Sequence, residues 1–95
     1  MILYRLHTQN KRKKWICGLV SEYFSGFSVI EQTGYWNGKP EKSLCVEIAV
    51  SGACQITTTP VHIKRICKAI CGLNKQECVL VQKIECDSEF MKVSS

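Results

Sequence analysis

Two segments of this 95-residue chain place polar side chains where apolar strands begin. One is Thr33-Gly34-Tyr35-Trp36-Asn37-Gly38-Lys39-Pro40-Glu41-Lys42-Ser43, and the other is Lys75-Gln76-Glu77 leading into Cys78-Val79-Leu80-Val81. Small α/β proteins build sites from such groups, because loops at strand ends expose side chains while the sheet behind them stays rigid. The segments contribute a carboxylate, a hydroxyl, an amide and two adjacent aromatics, types suited to holding a small molecule. Each also has a structural reading. Glu41 can cap a strand entrance or pair with Lys42, Gln76 can be a turn residue, and Tyr35 with Trp36 can be core or interface aromatics.

Other chemistry finds little support. The chain has no phosphate-binding Walker loop, no Gly-x-Ser-x-Gly, no dinucleotide fingerprint and no defensible Cys-His pairing. His62 falls in the first turn of an expected helix, where a solvent-facing or capping role outweighs chemistry, and His7 ends a strand. Seven cysteines invite a disulfide or zinc reading, but the number is odd and no Cys-x-x-Cys occurs. Cys17, Cys45, Cys67, Cys71 and Cys78 sit in apolar periodic segments and read as reduced core fillers. No metal and no cofactor is expected.

The elements that must carry these residues follow from periodicity. Ile2, Tyr4 and Leu6 alternate along a first strand from Ile2 to His7. Trp15, Ile16, Leu19, Val20, Tyr23 and Phe24 recur at helical spacing, and Ser25-Gly26 should end that helix. Residues 27–35 and the alternation Leu44, Val46, Ile48, Val50 predict a hairpin of two strands with a Gly- and Pro-containing connection. Thr58-Thr59-Pro60 offers a hydroxyl cap and an N1 proline for a second helix with the stripe Ile63, Ile66, Cys67, Ile70 and Cys71. Residues 78–81 then predict a strand buried on both faces, and residues 86–95 a C-terminal tail.

The expected fold is α+β: a ferredoxin-like βαββαβ sandwich with an antiparallel four-stranded sheet, in one domain spanning residues 1–95. A chain of this size buries roughly 60 to 70% of its unfolded surface, so its core is adequate but not generous. Two helices cover one sheet face, and apolar residues on the other predict packing against another chain. Apolar residues make up 45% and charged residues 22%, ordinary for a globular protein. No run approaches the ~18 apolar residues of a spanning helix, and no signal-like sequence opens the chain, so a soluble, cytoplasmic protein is expected. The net charge of +5 and the run Lys11-Arg12-Lys13-Lys14 raise nucleic acid as a partner. Taken alone, such a run is more often a solvated patch, and the aromatic platform of RNA-binding ferredoxin-like domains is missing, so nucleic acid is not expected.

Thr33-Gly34 followed by an aromatic, Glu41-Lys42-Ser43 entering an apolar strand, and Gln76-Glu77-Cys78-Val79-Leu80-Val81 together resemble three blocks of the phage-encoded S-adenosylmethionine lyases, long called hydrolases. The blocks occur in the same order and span residues 33–83. The connection between Tyr35 and Glu41 is shorter than the family's, and residues 51–58 look like an insertion. The resemblance implies a trimer of PII-like subunits binding S-adenosylmethionine in clefts between neighbours, in the host cytoplasm, as part of phage anti-restriction. It also implies release of methylthioadenosine and L-homoserine lactone. On this likeness Glu41 and Gln76 take the catalytic places, while Tyr35 or Trp36 supplies the aromatic and Ser43 joins them in binding substrate. The alternative is a noncatalytic PII-like oligomer that binds a nucleotide or signalling small molecule between subunits; both use the same fold.

Overall fold

The computed structural model describes residues 1–77, 79–87 and 91, and of Trp36, Ala53 and Cys54 the backbone. Its elements run β1 (Ile2–Gln9), α1 (Lys13–Tyr23), β2 (Ser28–Trp36), β3 (Lys39–Val50), α2 (Ala53–Asn74) and β4 (Leu80–Glu85). The strands form one sheet in the order β2-β3-β1-β4, every neighbour antiparallel. This is the expected split βαβ order, an α+β fold with two helices on a four-stranded sheet.

Alternation along β1 sets the two faces. Ile2, Tyr4, Leu6 and Thr8 are buried and turn toward the helices; Leu3, Arg5, His7 and Gln9 are half-buried on the opposite, open face. The core joins Leu6 of β1 and Leu44, Val46 and Ile48 of β3 to Ile16 and Val20 of α1 and Ile63, Ile66 and Ile70 of α2. Both helical stripes face the core as the spacing predicts, except that Trp15 of the α1 stripe is exposed. Ile66 and Ile70 are fully buried, each of the order of 1.5–3 kcal/mol of transfer free energy.

Four details depart from the sequence expectations. The hairpin turns on Asn37-Gly38 alone, both with positive φ (51° and 75°), the pair that a two-residue I′ turn requires. Lys39 to Ser43 are thus strand, not connection. Pro40 is tolerated there because β1 stops at the Gln9–Ser43 pair, so at Pro40 only β2 lies beside β3. Second, α2 begins at Ala53, not at Pro60, and the apparent insertion supplies its first turns. Pro60 lies inside the helix. The Thr59 hydroxyl donates to the Gln55 carbonyl.

Third, β4 is an edge strand and exposed along its length rather than buried on both faces, with Leu80 60% and Val81 39% exposed. In the strand order β4 has a neighbour, β1, on one side only. Fourth, α1 ends short of Ser25-Gly26. α1 stops at Tyr23 with an extended Phe24, whose N–H reaches the Val20 carbonyl, and α2 stops on Lys75 in the left-handed region (φ 52°). The expected strand residue Cys78 and tail residues 88–90 and 92–95 lie outside the described residues. Among the described residues no helix is long and apolar enough to cross a membrane.

Candidate functional site

The β2–β3 hairpin outruns β1, and this overhang positions three of the residues singled out from sequence. Gly34 pairs with Glu41 and Gln32 with Ser43, all on the open face by strand alternation. Glu41 is exposed, and neither ion pair of the described residues includes it. A salt bridge to Lys42 is disfavoured by geometry, since successive strand residues point to opposite faces. The Ser43 hydroxyl donates weakly to the Gln32 carbonyl at 3.5 Å. A Cβ at Gly34 would meet Ser43 Oγ at 3.8 Å and the Glu41 carbonyl at 3.9 Å, ordinary contact distances, so the bare position leaves room beside the Glu41 side chain without being required by packing.

Gln76 stands at the same end of the sheet but on its other side. The buried Thr8 hydroxyl donates to Gln76 Oε1 at 3.0 Å, and Asn74 Nδ2 approaches the same oxygen at 3.4 Å. Thr8 pairs with Leu44 and turns toward the helices, so its bond holds Gln76 at the helix-side rim. Asn74 Nδ2 also lies 3.4 Å from the Lys11 carbonyl, tying the end of α2 to the β1–α1 loop. Tyr35 is on the helix-side face of the overhang and 73% exposed, while Trp36 pairs with Lys39 next to the turn. One copy of the chain therefore groups Gly34, Glu41 and Ser43 on one face, and keeps Gln76 and Tyr35 on the other.

The open face also holds a polar chain that sequence reading did not find. Gln32 Nε2 lies 2.9 Å from His7 Nδ1, and His7 Nε2 lies 2.7 Å from Gln82 Oε1. With the amides so oriented, Gln32 donates to Nδ1 and the ring donates from Nε2, a neutral imidazole linking β2, β1 and β4. Beside it Arg5 and Glu47 pair across β1 and β3 at 2.8 Å. Cys45, the register partner of His7 on β3, is buried. Desolvation, and then the Glu47 charge, push its thiol up, with Arg5 opposing. The usable signal was the alternation Arg5, His7, Gln9 in a strand whose other face is apolar.

His62, expected in a first turn, is mid-helix and packs on Tyr23 and Phe24, with ring centroids 5.1 and 6.0 Å away. Between α2 and β4 runs an apolar groove of about 460 Å³, lined by Tyr4, Ile63, Cys67, Val79 and Val81. Burial, and to a lesser degree Cys71, push the Cys67 thiol up to about 11. Cys17, Cys45, Cys67 and Cys71 are free thiols. Among the described residues no group of three His, Cys, Asp or Glu stands together as metal ligands would.

No family model and no curated protein sequence matches this chain. Among solved structures, it is similar to a DUF3240 family protein from Shewanella baltica OS155, with a TM-score of 0.67 and 19% identity over 97% of this chain and 96% of that one. It is also similar to the de novo designed protein Foldit4, with a TM-score of 0.51 and 21% identity over 90% of this chain and 96% of that one. At these identities the likeness shows the fold alone.

Proposed function

We propose that this chain is an S-adenosylmethionine lyase that works as a PII-like oligomer, a trimer, with its substrate held between neighbouring copies. The observation that carries the reading is the placement of Glu41 and Gln76 at one end of the sheet but on opposite sides of it. Within one copy the sheet stands between the two side chains. Across a head-to-tail contact, the open-face Glu41 of one copy meets the rim Gln76 of the next, and each contact then makes one complete site.

The reaction suits such a site because the substrate contains its own nucleophile. A carboxylate oxygen attacks the γ carbon, the C–O bond forms as the C–S bond breaks, and the electron pair leaves on sulfur, giving neutral methylthioadenosine and homoserine lactone. No proton has to move in this step. The protein's task is to fold the substrate, and oriented intramolecular reactions reach effective molarities of roughly 10⁵ to 10⁸ M, or about 7–11 kcal/mol of barrier. Attacking carboxylate and sulfonium neutralise one another, so exclusion of water favours the transition state. Glu41 holds the ammonium or the ribose hydroxyls, the Gln76 amide holds the amino-acid end, Ser43 adds a hydroxyl beside Glu41, and Tyr35 or Trp36 packs on the adenine or sulfonium.

Incubating purified protein with S-adenosylmethionine and separating the products by chromatography tests this. Methylthioadenosine and homoserine lactone are expected, and Glu41→Ala and Gln76→Ala should abolish them while keeping the oligomer. Substrate returned intact refutes the lyase. If it, or a nucleotide, nonetheless raises the melting temperature, the noncatalytic binding module takes its place.

A further inference from the structure

We infer that the chain also carries a binding surface for single-stranded nucleic acid on the helix side of the hairpin overhang, one that shares Tyr35 with the proposed substrate site. In sequence the run Lys11-Arg12-Lys13-Lys14 stands alone, but the fold adds cations from two distant segments. The Asn10 N–H donates to the Lys42 carbonyl at 3.1 Å, which sets the β1–α1 loop against β3. Asn74 Nδ2, at 3.4 Å from the Lys11 carbonyl, brings up the end of α2, where Lys75 follows as its cap. Lys13 pairs with Glu31 of β2 at 3.1 Å, so the first turn of α1 overlies that strand.

Beyond Glu31 the same face of β2 continues as Thr33 and Tyr35, with Lys42 opposite Thr33 and Pro40 opposite Tyr35. All four are exposed, because α1 starts behind them. The result is a shelf with an aromatic floor, 73% exposed at Tyr35, and a basic wall of Lys11, Arg12 and Lys14 with Lys42 and Lys75 beside it. None of these five cations takes part in an ion pair of the described residues. Two of them, Arg12 (φ 58°) and Lys75 (φ 52°), occupy left-handed backbone positions that glycine would fill without strain.

Cations alone would suit any polyanion. An exposed ring among them favours a single strand, whose phosphates take the lysines and whose unpaired bases stack on the ring without reading sequence. An anionic membrane would call for apolar side chains to insert, and the shelf floor is Thr33, Tyr35, Pro40 and Lys42.

The test is fluorescence anisotropy with a labelled 20-nucleotide oligothymidylate, a duplex of equal length, and phosphatidylcholine vesicles containing phosphatidylserine. The single strand should bind most tightly. With four to five phosphates engaged, its affinity should fall about 50- to 130-fold between 50 and 200 mM salt. Tyr35→Ala should weaken binding about tenfold, and Tyr35→Trp should restore it. Arg12→Gly with Lys75→Gly removes two charges where the backbone prefers glycine, so the melting temperature should hold or rise while the salt dependence becomes shallower. Equal binding of duplex, tighter binding of vesicles, indifference to Tyr35→Ala, or an unchanged salt slope in the glycine pair would each overturn the proposal.

Discussion

Mixing two inactive variants gives the most direct check on a site shared between copies. Glu41→Ala removes the carboxylate from the open face, and Gln76→Ala removes the rim amide held by Thr8. If a site takes Glu41 from one copy and Gln76 from its neighbour, each variant alone has no complete site. In an equimolar mixture, a site is complete only when its Glu41 donor is the Gln76→Ala chain and its Gln76 donor is the Glu41→Ala chain. Random assembly gives this combination in about one quarter of the sites, whatever the number of copies in the closed ring. The assay is methylthioadenosine release after joint refolding, compared with the wild type at equal total subunit concentration. About 25% of wild-type turnover is expected, with neither parent above a few per cent. A mixture as inactive as its parents, with subunit exchange confirmed by mass spectrometry, would refute sharing and place both groups in one copy. Activity in either parent would remove that residue from the mechanism.

Three further outcomes follow from particular contacts. Because Pro60 lies inside α2 and not at its first turn, Pro60→Ala should stabilise the fold by up to ~3 kcal/mol, whereas a proline at N1 would leave it nearly unchanged; differential scanning calorimetry distinguishes the two. Thr8→Val removes the buried donor to Gln76 Oε1, and should cost about 1 kcal/mol and roughly 4–8 °C in melting temperature. Thr8→Ser should restore turnover as well as stability, since the hydroxyl positions the amide. The raised Cys67 thiol favours the protonated, folded state, so its contribution is complete below the ordinary thiol value of 9.0 and is lost as pH climbs toward about 11. Urea midpoints should fall across that window, and Cys67→Ala should flatten the decline.

Legibility in the sequence depended on whether a signal was local. The alternation Ile2, Tyr4, Leu6 and the stripe Ile63, Ile66, Ile70 are written in neighbouring residues, and they specify faces that the fold keeps. Asn37-Gly38 was equally local: a dipeptide suited to two successive positive φ values marks a two-residue turn, and reading it so would have made residues 39–43 strand. Pro60 misled because a proline after Thr58-Thr59 looks like a helix start, yet tertiary packing of Thr59 and Ile63 carries the helix across it. The burial of β4 could not be read from its composition. Val81 and Ile84 are apolar whether they lie in a sheet centre or at an edge, and only the strand order decides which. For the site, residue types were legible but sidedness was not. Glu41 and Ser43 share a face through a register that the turn sets, and Gln76 is assigned to the other side by a bond to a residue 68 positions away.

The edge strand bears on both the proposed assembly and the proposed chemistry. β4 turns Leu80 and Ile84, 60% and 36% exposed, to the open face and Val81 to the other, and among the described residues no strand pairs with its outer edge. Natural edges are usually blunted by charge, proline or a bulge, and in β4 Lys83 and Glu85 both fall on the helix side, leaving the open-face positions as Leu80, Gln82 and Ile84. A copy packed there would cover the two apolar residues and bring its own groups toward Gln82, whose amide oxygen already takes a hydrogen bond from His7. The His7 chain crosses from β4 to Gln32, and Gln32 pairs with Ser43, two residues from Glu41 on the same face. The open face thus runs from an apolar edge, through a row of paired polar groups, to the exposed Glu41 carboxylate, which belongs to neither ion pair of the described residues.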